Sequence, residues 1–186
     1  MHPDALDIPR RWRIPRMIFV NSMSDLFHAQ VPLSFVREVF TVIADTPQHT
    51  YQLLTKRAIR LRRIAHRLDW PANLWMGVSV ENAEALGRVE DLHHVPAAVR
   101  FLSCEPLLGP LDGMDLTGIG WVIAGGESGT EARPVDPGWI RQLRDACTAS
   151  GVPFFFKQWG GRTAKSGGRT LDGITWNQYP SVAAVS

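Results

Sequence analysis

Carboxylates and amines recur at one kind of place in this chain, directly after short apolar runs. MIFV leads into Asn21-Ser22-Met23-Ser24-Asp25 and then His28, and QLL leads into Thr55-Lys56-Arg57. GVSV, which contains Ser79, leads into Glu81-Asn82, and FLS into Cys104-Glu105-Pro106. VIA leads into Gly125-Gly126-Glu127-Ser128, and FFF into Lys157-Gln158-Trp159. If the runs are parallel strands, their carboxyl ends share one face, and that face is where such folds bind ligands. Asp25, Lys56, Glu81, Glu105, Glu127 and Lys157 would then border one mouth. Acids and amines crowded in a partly desolvated cleft shift one another's pKa, which is how acid–base groups are tuned. Loops are polar for plainer reasons too, since caps and turns favour Ser, Asp, Asn and Gly. Capping does not account for repeated Lys and Glu.

Single motifs carry less. Gly125-Gly126-Glu127-Ser128-Gly129 lets a ligand approach backbone N–H groups as in phosphate and carboxylate cradles, or makes a tight turn. Cys104 reads as a nucleophile, a metal ligand or a small buried residue, and no adjacent His favours the first two. His28 is the one histidine near a strand end, and no zinc spacing is present. Arg57, Arg60, Arg62, Arg63 and Arg67 form a basic helical patch, read as a solvated face or a nucleic-acid contact. Trp159 stacks on a ring-bearing ligand or packs at the rim.

The elements that must position these groups are legible as alternation. The apolar runs are 17–21, 51–55, 73–80, 99–104, 121–125 and 153–157, and their starts lie 22 to 34 residues apart. Between them, Pro32 opens a helix carrying Phe35, Val36, Val39, Phe40 and Ile43. Leu61, Ile64, Ala65 and Leu68 mark a second helix, 81–93 a third, and Asp136-Pro137 the start of a fourth, which carries Ile140, Leu143 and Cys147 and ends at Gly151. Strands alternating with helices imply a parallel α/β sheet. An open doubly wound sheet and a (β/α) barrel compete. The short, evenly spaced strands, and the lack of a Gly-x-Gly-x-x-Gly after the first, favour a partial (β/α) barrel of about six parallel strands. Both outer strands would be open edges, inviting self-association or a partner, and interior positions such as Leu53 and Phe155 would be thinly covered. The expected layout is an N-terminal arm at 1–16, the partial barrel at 17–160, and a Gly-rich flexible tail at 161–186 with a small hairpin turning at Asp172-Gly173.

Composition sets the limits. The 186 residues are 45% hydrophobic, 20% charged and 9% aromatic, which excludes disordered, collagen-like and coiled-coil chains. No apolar run approaches a membrane span, and the N-terminus lacks a signal core, so a cytoplasmic protein without a membrane partner is expected. The two cysteines, Cys104 and Cys147, are too few for a disulfide scaffold or for the thiolates of an iron–sulfur cluster. A net charge of +2 points to no partner by itself.

Six ordered segments together resemble one family: IFVNSMSDLFH (18–28), LLTKR (53–57), WMGVSVEN (75–82), RFLSCEPLLGP (100–110), WVIAGGESG (121–129) with Ala132-Arg133-Pro134, and GVPFFFKQWG (151–160). It is the phage and prophage family of unknown function whose members carry an N-terminal three-cysteine motif. That motif is similar to the one in radical S-adenosylmethionine enzymes and, distantly, in spore photoproduct lyase. LDGITW matches the family's LDG-x-x-W pattern. The resemblance implies a radical-SAM-like partial barrel, roughly the last six of eight βα units, with S-adenosylmethionine and a [4Fe–4S] cluster in full-length relatives, and nucleic acid as the substrate class through its phage context. This chain looks like a shortened member beginning after the cysteines. The expectation is therefore no cofactor in the chain as it stands and no radical chemistry by it alone. The alternative is a non-enzymatic interaction module using the strand edges or the Arg-rich helix. Strand-end position, and not the resemblance, assigns the site. Asp25, Lys56, Glu105 and Lys157 are the catalytic candidates, Gly125, Gly126, Glu127, Ser128, Asn21 and Ser79 the cofactor-binding candidates, and no metal-ligand set is assigned.

Overall fold

The computed structural model describes residues 5–20, 24–163 and 166–181. Six strands run in sequence order, β1 (Met17–Val20), β2 (Thr50–Thr55), β3 (Leu74–Ser79), β4 (Val99–Cys104), β5 (Trp121–Gly125) and β6 (Phe154–Gln158). All neighbours are parallel, and the curled sheet forms half of a barrel with helices between strands. The helices are α1 (Leu33–Ala44), α2 (Ala58–Ala65), α3 (Gly87–His93) and α4 (Pro137–Ala149). The β4–β5 connection is irregular and seats Leu107, Leu116 and Ile119 in the core in place of a helix.

Local chemistry explains the helix ends. Asp136 caps α4 by accepting the Gly138 N–H at 2.7 Å, Pro137 is the first helical residue, and Gly151 (φ +66°) ends it. Pro32 is the cap of α1 and Leu33 its first residue, one position later than the pattern suggests. The third helix starts at Gly87, after a 3₁₀ turn at Ala83–Ala85, because Asn82 is fully extended and Glu81 is committed to ion pairs.

Strand alternation sorts the side chains into two layers. Leu53, Leu74, Met76, Val78, Leu102, Cys104, Val122, Ala124, Phe154 and Phe156 face the helices. Trp75, Phe101 and Trp121 fill the concave side with Leu54, Val99, Ile123 and Phe155. Leu53, expected inside the barrel, is therefore buried under the helices, and Leu54 takes the concave position. Gly77 registers with Phe101, whose ring lies so close that a Cβ at Gly77 would meet it at 2.4 Å. The missing side chain lets the aromatic floor lie flat on β3.

The outer edges of the sheet differ. Residues Trp176–Gln178 run antiparallel along β6, with Phe156 N–H donating to Trp176 O (3.1 Å) and Gln178 N–H to Phe154 O (3.2 Å). Tyr179 then lies on Trp121 and Phe155 at 5.1 and 5.4 Å between ring centres, closing the lower end of the concave face. Upstream, Asp172 (φ +51°) and Gly173 (φ +78°) make a tight turn, with Leu171 and Ile174 exchanging both backbone bonds. The other outer strand, β1, has no second neighbour among the described residues, and its Met17 and Phe19 are exposed.

The turn is tied down by the Asp172 carboxylate, which accepts from Arg141 and Arg144 of α4 at 2.8–3.1 Å. Hydrogen bonds from those guanidiniums pull the Asp172 pKa down to about 2. Since the folded group titrates below a free aspartate, its contribution is complete above about pH 4 and is lost as pH falls through 2. The thermal midpoint should therefore drop across that window by more in the wild type than in Asp172→Asn, as read by circular dichroism. Parallel curves would show that the anchor contributes nothing.

Candidate functional site

The carboxyl ends of the strands carry two clusters of charge. At β2 and β3, Lys56 pairs with Glu81, and Arg88 of α3 donates to the same carboxylate at 2.8 Å and to Ser79 O at 2.7 Å. Burial pushes the Glu81 pKa up, but the Lys56 hydrogen bond and the charges of Lys56 and Arg88 outweigh it, so Glu81 titrates below the ordinary value. Asp25 joins from the β1–α1 loop. It accepts from the Thr55 hydroxyl at 2.7 and 2.8 Å, from Lys56 N–H at 3.2 Å and from Phe27 N–H at 2.9 Å.

At β4, β5 and β6, Lys157 Nζ lies 2.9 Å from Glu105 Oε2, and Gln158 Nε2 donates to Ser128 Oγ (2.7 Å), Glu105 Oε1 (3.4 Å) and Gly126 O (3.4 Å). The β4–β5 loop spans both clusters, with Leu108 N–H bonded to Glu81 O (2.7 Å) and Leu107 N–H to Gly125 O (2.8 Å). Lys56, Glu81 and Glu105, which follow their strands, and Lys157, near the end of β6, continue the alternation of Leu54, Ser79, Ser103 and Phe155, so they stand above the concave aromatic floor. In each pair the ammonium is exposed and the acid is the more covered partner, Glu81 buried and Glu105 half-buried. The side chains of Lys56 and Lys157 are 60% and 52% accessible, against 11% and 17% for Glu81 and Glu105. The acids hold the cations in place and leave their outer faces to solvent.

The glycine segment has a different role locally. A Cβ on Gly126 would meet Trp159 O at 2.0 Å, whereas one on Gly125 would meet Gln158 O and Glu105 Cγ at 3.3 Å. Close approach of the β6 backbone, at an irregularity of the β5–β6 register, accounts for glycine at 126. Glu127 is clamped by Arg133 through two side-chain bonds (2.8 and 2.9 Å) and one backbone bond (3.0 Å), which hold its pKa at about 2. Asn21 lies outside the described residues. Thus Asp25, Lys56, Ser79 and Glu81 gather in one cluster and Glu105, Lys157, Gly125, Gly126 and Ser128 in the other, while Glu127 is turned to Arg133.

Several residues escape sequence reading. Arg88 and Thr55 complete the first cluster, and Gln158 links three partners in the second. Gln158 directly follows Lys157 and was within reach; Arg88, the second residue of α3, carried no signal. The Arg-rich helix is partly structural, because Arg60 donates to the carbonyls of His28 and Val31 and Arg62 pairs with Asp91. His28 accepts the Gln30 N–H at 3.3 Å within the same loop.

The two cysteines sit in the helix-facing layer. Both are buried, and burial raises both thiols, that of Cys147 to about 12. Among the described residues no group of three or more His, Cys, Asp or Glu is placed to hold a metal ion, and no helix is long and apolar enough to cross a membrane. No curated protein and no solved structure matched the chain. A family model described as "Protein of unknown function (DUF5131)" matches residues 1–180, nearly the whole length, and so the chain belongs to that uncharacterised family.

Proposed function

We propose that this chain is a ligand-binding half-barrel related to radical S-adenosylmethionine enzymes, and that its strand-end rim seats a nucleoside with an amino-acid head group, of the S-adenosylmethionine type. The rim's alternating charge carries the reading. Lys56, Glu81, Lys157 and Glu105 place two exposed ammonium groups, one buried carboxylate and one half-buried carboxylate above an apolar concave wall. An amino-acid head group offers one carboxylate and one ammonium, and exchanges ion pairs with such a rim so that each head-group charge meets an opposite one. Leu54, Ile123 and Phe155, all partly exposed, offer the apolar surface that a nucleoside ring needs. In this arrangement Ser128 and Gln158 border the ligand beside Glu105 and Lys157, and Ser79 lies beneath the Lys56–Glu81 pair.

A [4Fe–4S] cluster does not fit the residues present. It needs three or four thiolates on an accessible loop, and the chain has two thiols, both buried on the helix side with their ionisation opposed by burial. No reductive cleavage is therefore assigned to this chain's own cysteines. Isothermal titration with S-adenosylmethionine is expected to show micromolar binding, weakened at least tenfold by Lys157→Met or Glu105→Gln with the thermal midpoint little changed. Absence of heat at millimolar ligand, or equal affinity in the variants, would sink the proposal.

A further inference from the structure

The charge of this chain is unevenly placed. Residues 8–24 contain Arg10, Arg11, Arg13 and Arg16 and no carboxylate; removing those four from the 20 basic residues leaves 16 against 18 acidic ones, a net charge of −2 for the rest. A second stretch without carboxylates, residues 46–68, carries Lys56 and five arginines, so the positive charge sits in two segments, of which the N-terminal one is the shorter.

That segment is held in place. Arg10 pairs with Asp7 and Asp45, fixing it to the C-terminal end of α1. Gln48 Nε2 donates to Trp12 O (3.3 Å), His49 Nε2 lies 3.1 Å from Pro9 O, and His49 Nδ1 accepts the Arg16 N–H (3.2 Å). Trp12 meets the His49 ring edge-on at 6.0 Å, and the Arg16 guanidinium lies over the Trp12 ring at 4.7 Å. Thr50 N–H then bonds Arg16 O, so the arm joins the sheet at the N-terminal end of β2, opposite the rim. With the backbone fixed, Arg11, Arg13 and Arg16 are exposed and have no ion-pair partner among the described residues.

We infer that this arm is a second binding surface, independent of the rim, for the phosphodiester backbone of a nucleic acid. Guanidinium forks match phosphate bidentately, and the free energy of contact comes from releasing counterions condensed on the polyanion. A preordered strip binds with little conformational cost. Nothing in the arm reads base edges, so recognition is independent of sequence. The Arg-rich α2 region, read as a solvated face or a nucleic-acid contact, has Arg60 and Arg62 already engaged and keeps Arg57, Arg63 and Arg67 exposed, so variants confined to the arm decide between the two surfaces.

The test is fluorescence anisotropy with a labelled poly-dT single strand and a labelled DNA duplex, from 50 to 200 mM salt. Three arginines predict micromolar affinity at the lower salt and a log–log salt slope of about −2 for the single strand and about −3 for the duplex. Whichever probe binds more tightly identifies the favoured form. The double variant Arg11→Ser/Arg13→Ser should weaken binding at least tenfold and bring the slope below about 1 in magnitude. Its circular dichroism and S-adenosylmethionine titration should match the wild type, so the rim and the arm can fail separately. A flat salt dependence in the wild type, unchanged affinity in the double variant, or tighter binding of polyglutamate than of either DNA would overturn the inference.

Discussion

Replacing Trp121 with alanine is expected to lower the free energy of unfolding by about 3–5 kcal/mol, the range for truncating a buried large aromatic. Trp121 is the hub of the concave floor. Its ring meets Trp75 and Phe101 at 5.8 Å, Phe155 at 6.0 Å and Tyr179 at 5.1 Å, and its indole N–H donates to Gln178 O at 2.9 Å. Truncation removes buried apolar area and leaves the cavity bordered by β3, β4 and β6, strands too firmly paired on both sides to collapse into it. The strap along β6 also loses the contact that seats Tyr179. Trp121→Phe keeps most of the packing, and its cost, about 1–2 kcal/mol, isolates the indole hydrogen bond and the lost ring edge. Urea unfolding of both variants measures this. A loss below 1 kcal/mol for alanine would mean that the concave floor is not a cooperative part of the core.

This hub shows what a sequence gives up easily and what it withholds. The inner strands were legible because strands buried on both faces read as near-continuous apolar runs. VRFLSC and WVIAG match β4 and β5 residue for residue. The same continuity hides which face each residue takes. QLL does not say whether Leu53 or Leu54 looks inward, and only the register with β3 decides it. Contacts between distant segments were hidden for another reason, since Trp121 and Tyr179 meet only because the chain returns along β6 after the Asp172 turn. Gathering of charge at the strand ends followed from topology, and so Asp25, Lys56, Glu105 and Lys157 could be named in advance. Their pairing could not, because it depends on which strands are neighbours and on a helix residue, Arg88, that lies off the strands altogether.

The glycine pair at the end of β5 allows that distinction to be tested directly. Gly126→Ala is expected to destabilise the fold by about 3 kcal/mol, the upper range of overpacking, because its Cβ would lie 2.0 Å from Trp159 O. The obstacle is backbone, and it cannot rotate aside. Gly126 N–H donates to Gln158 O at 2.9 Å, and Gly161 N–H to Glu127 O at 2.9 Å, so relief of the clash must pull β5 and β6 apart where Lys157 and Gln158 are set. The second rim cluster should therefore loosen with the fold, and S-adenosylmethionine affinity should fall together with urea stability. Gly125→Ala is the discriminating partner. Its Cβ meets Gln158 O and the Glu105 side chain at 3.3 Å, a contact the neighbours relieve by shifting a few tenths of an ångström. It should keep most of the stability while displacing the carboxylate that holds Lys157, and so reduce binding more than it reduces folding. If Gly126→Ala unfolds at the wild-type urea concentration and fails only in binding, the two glycines serve a ligand directly, and the close approach of β6 is not what requires glycine at 126.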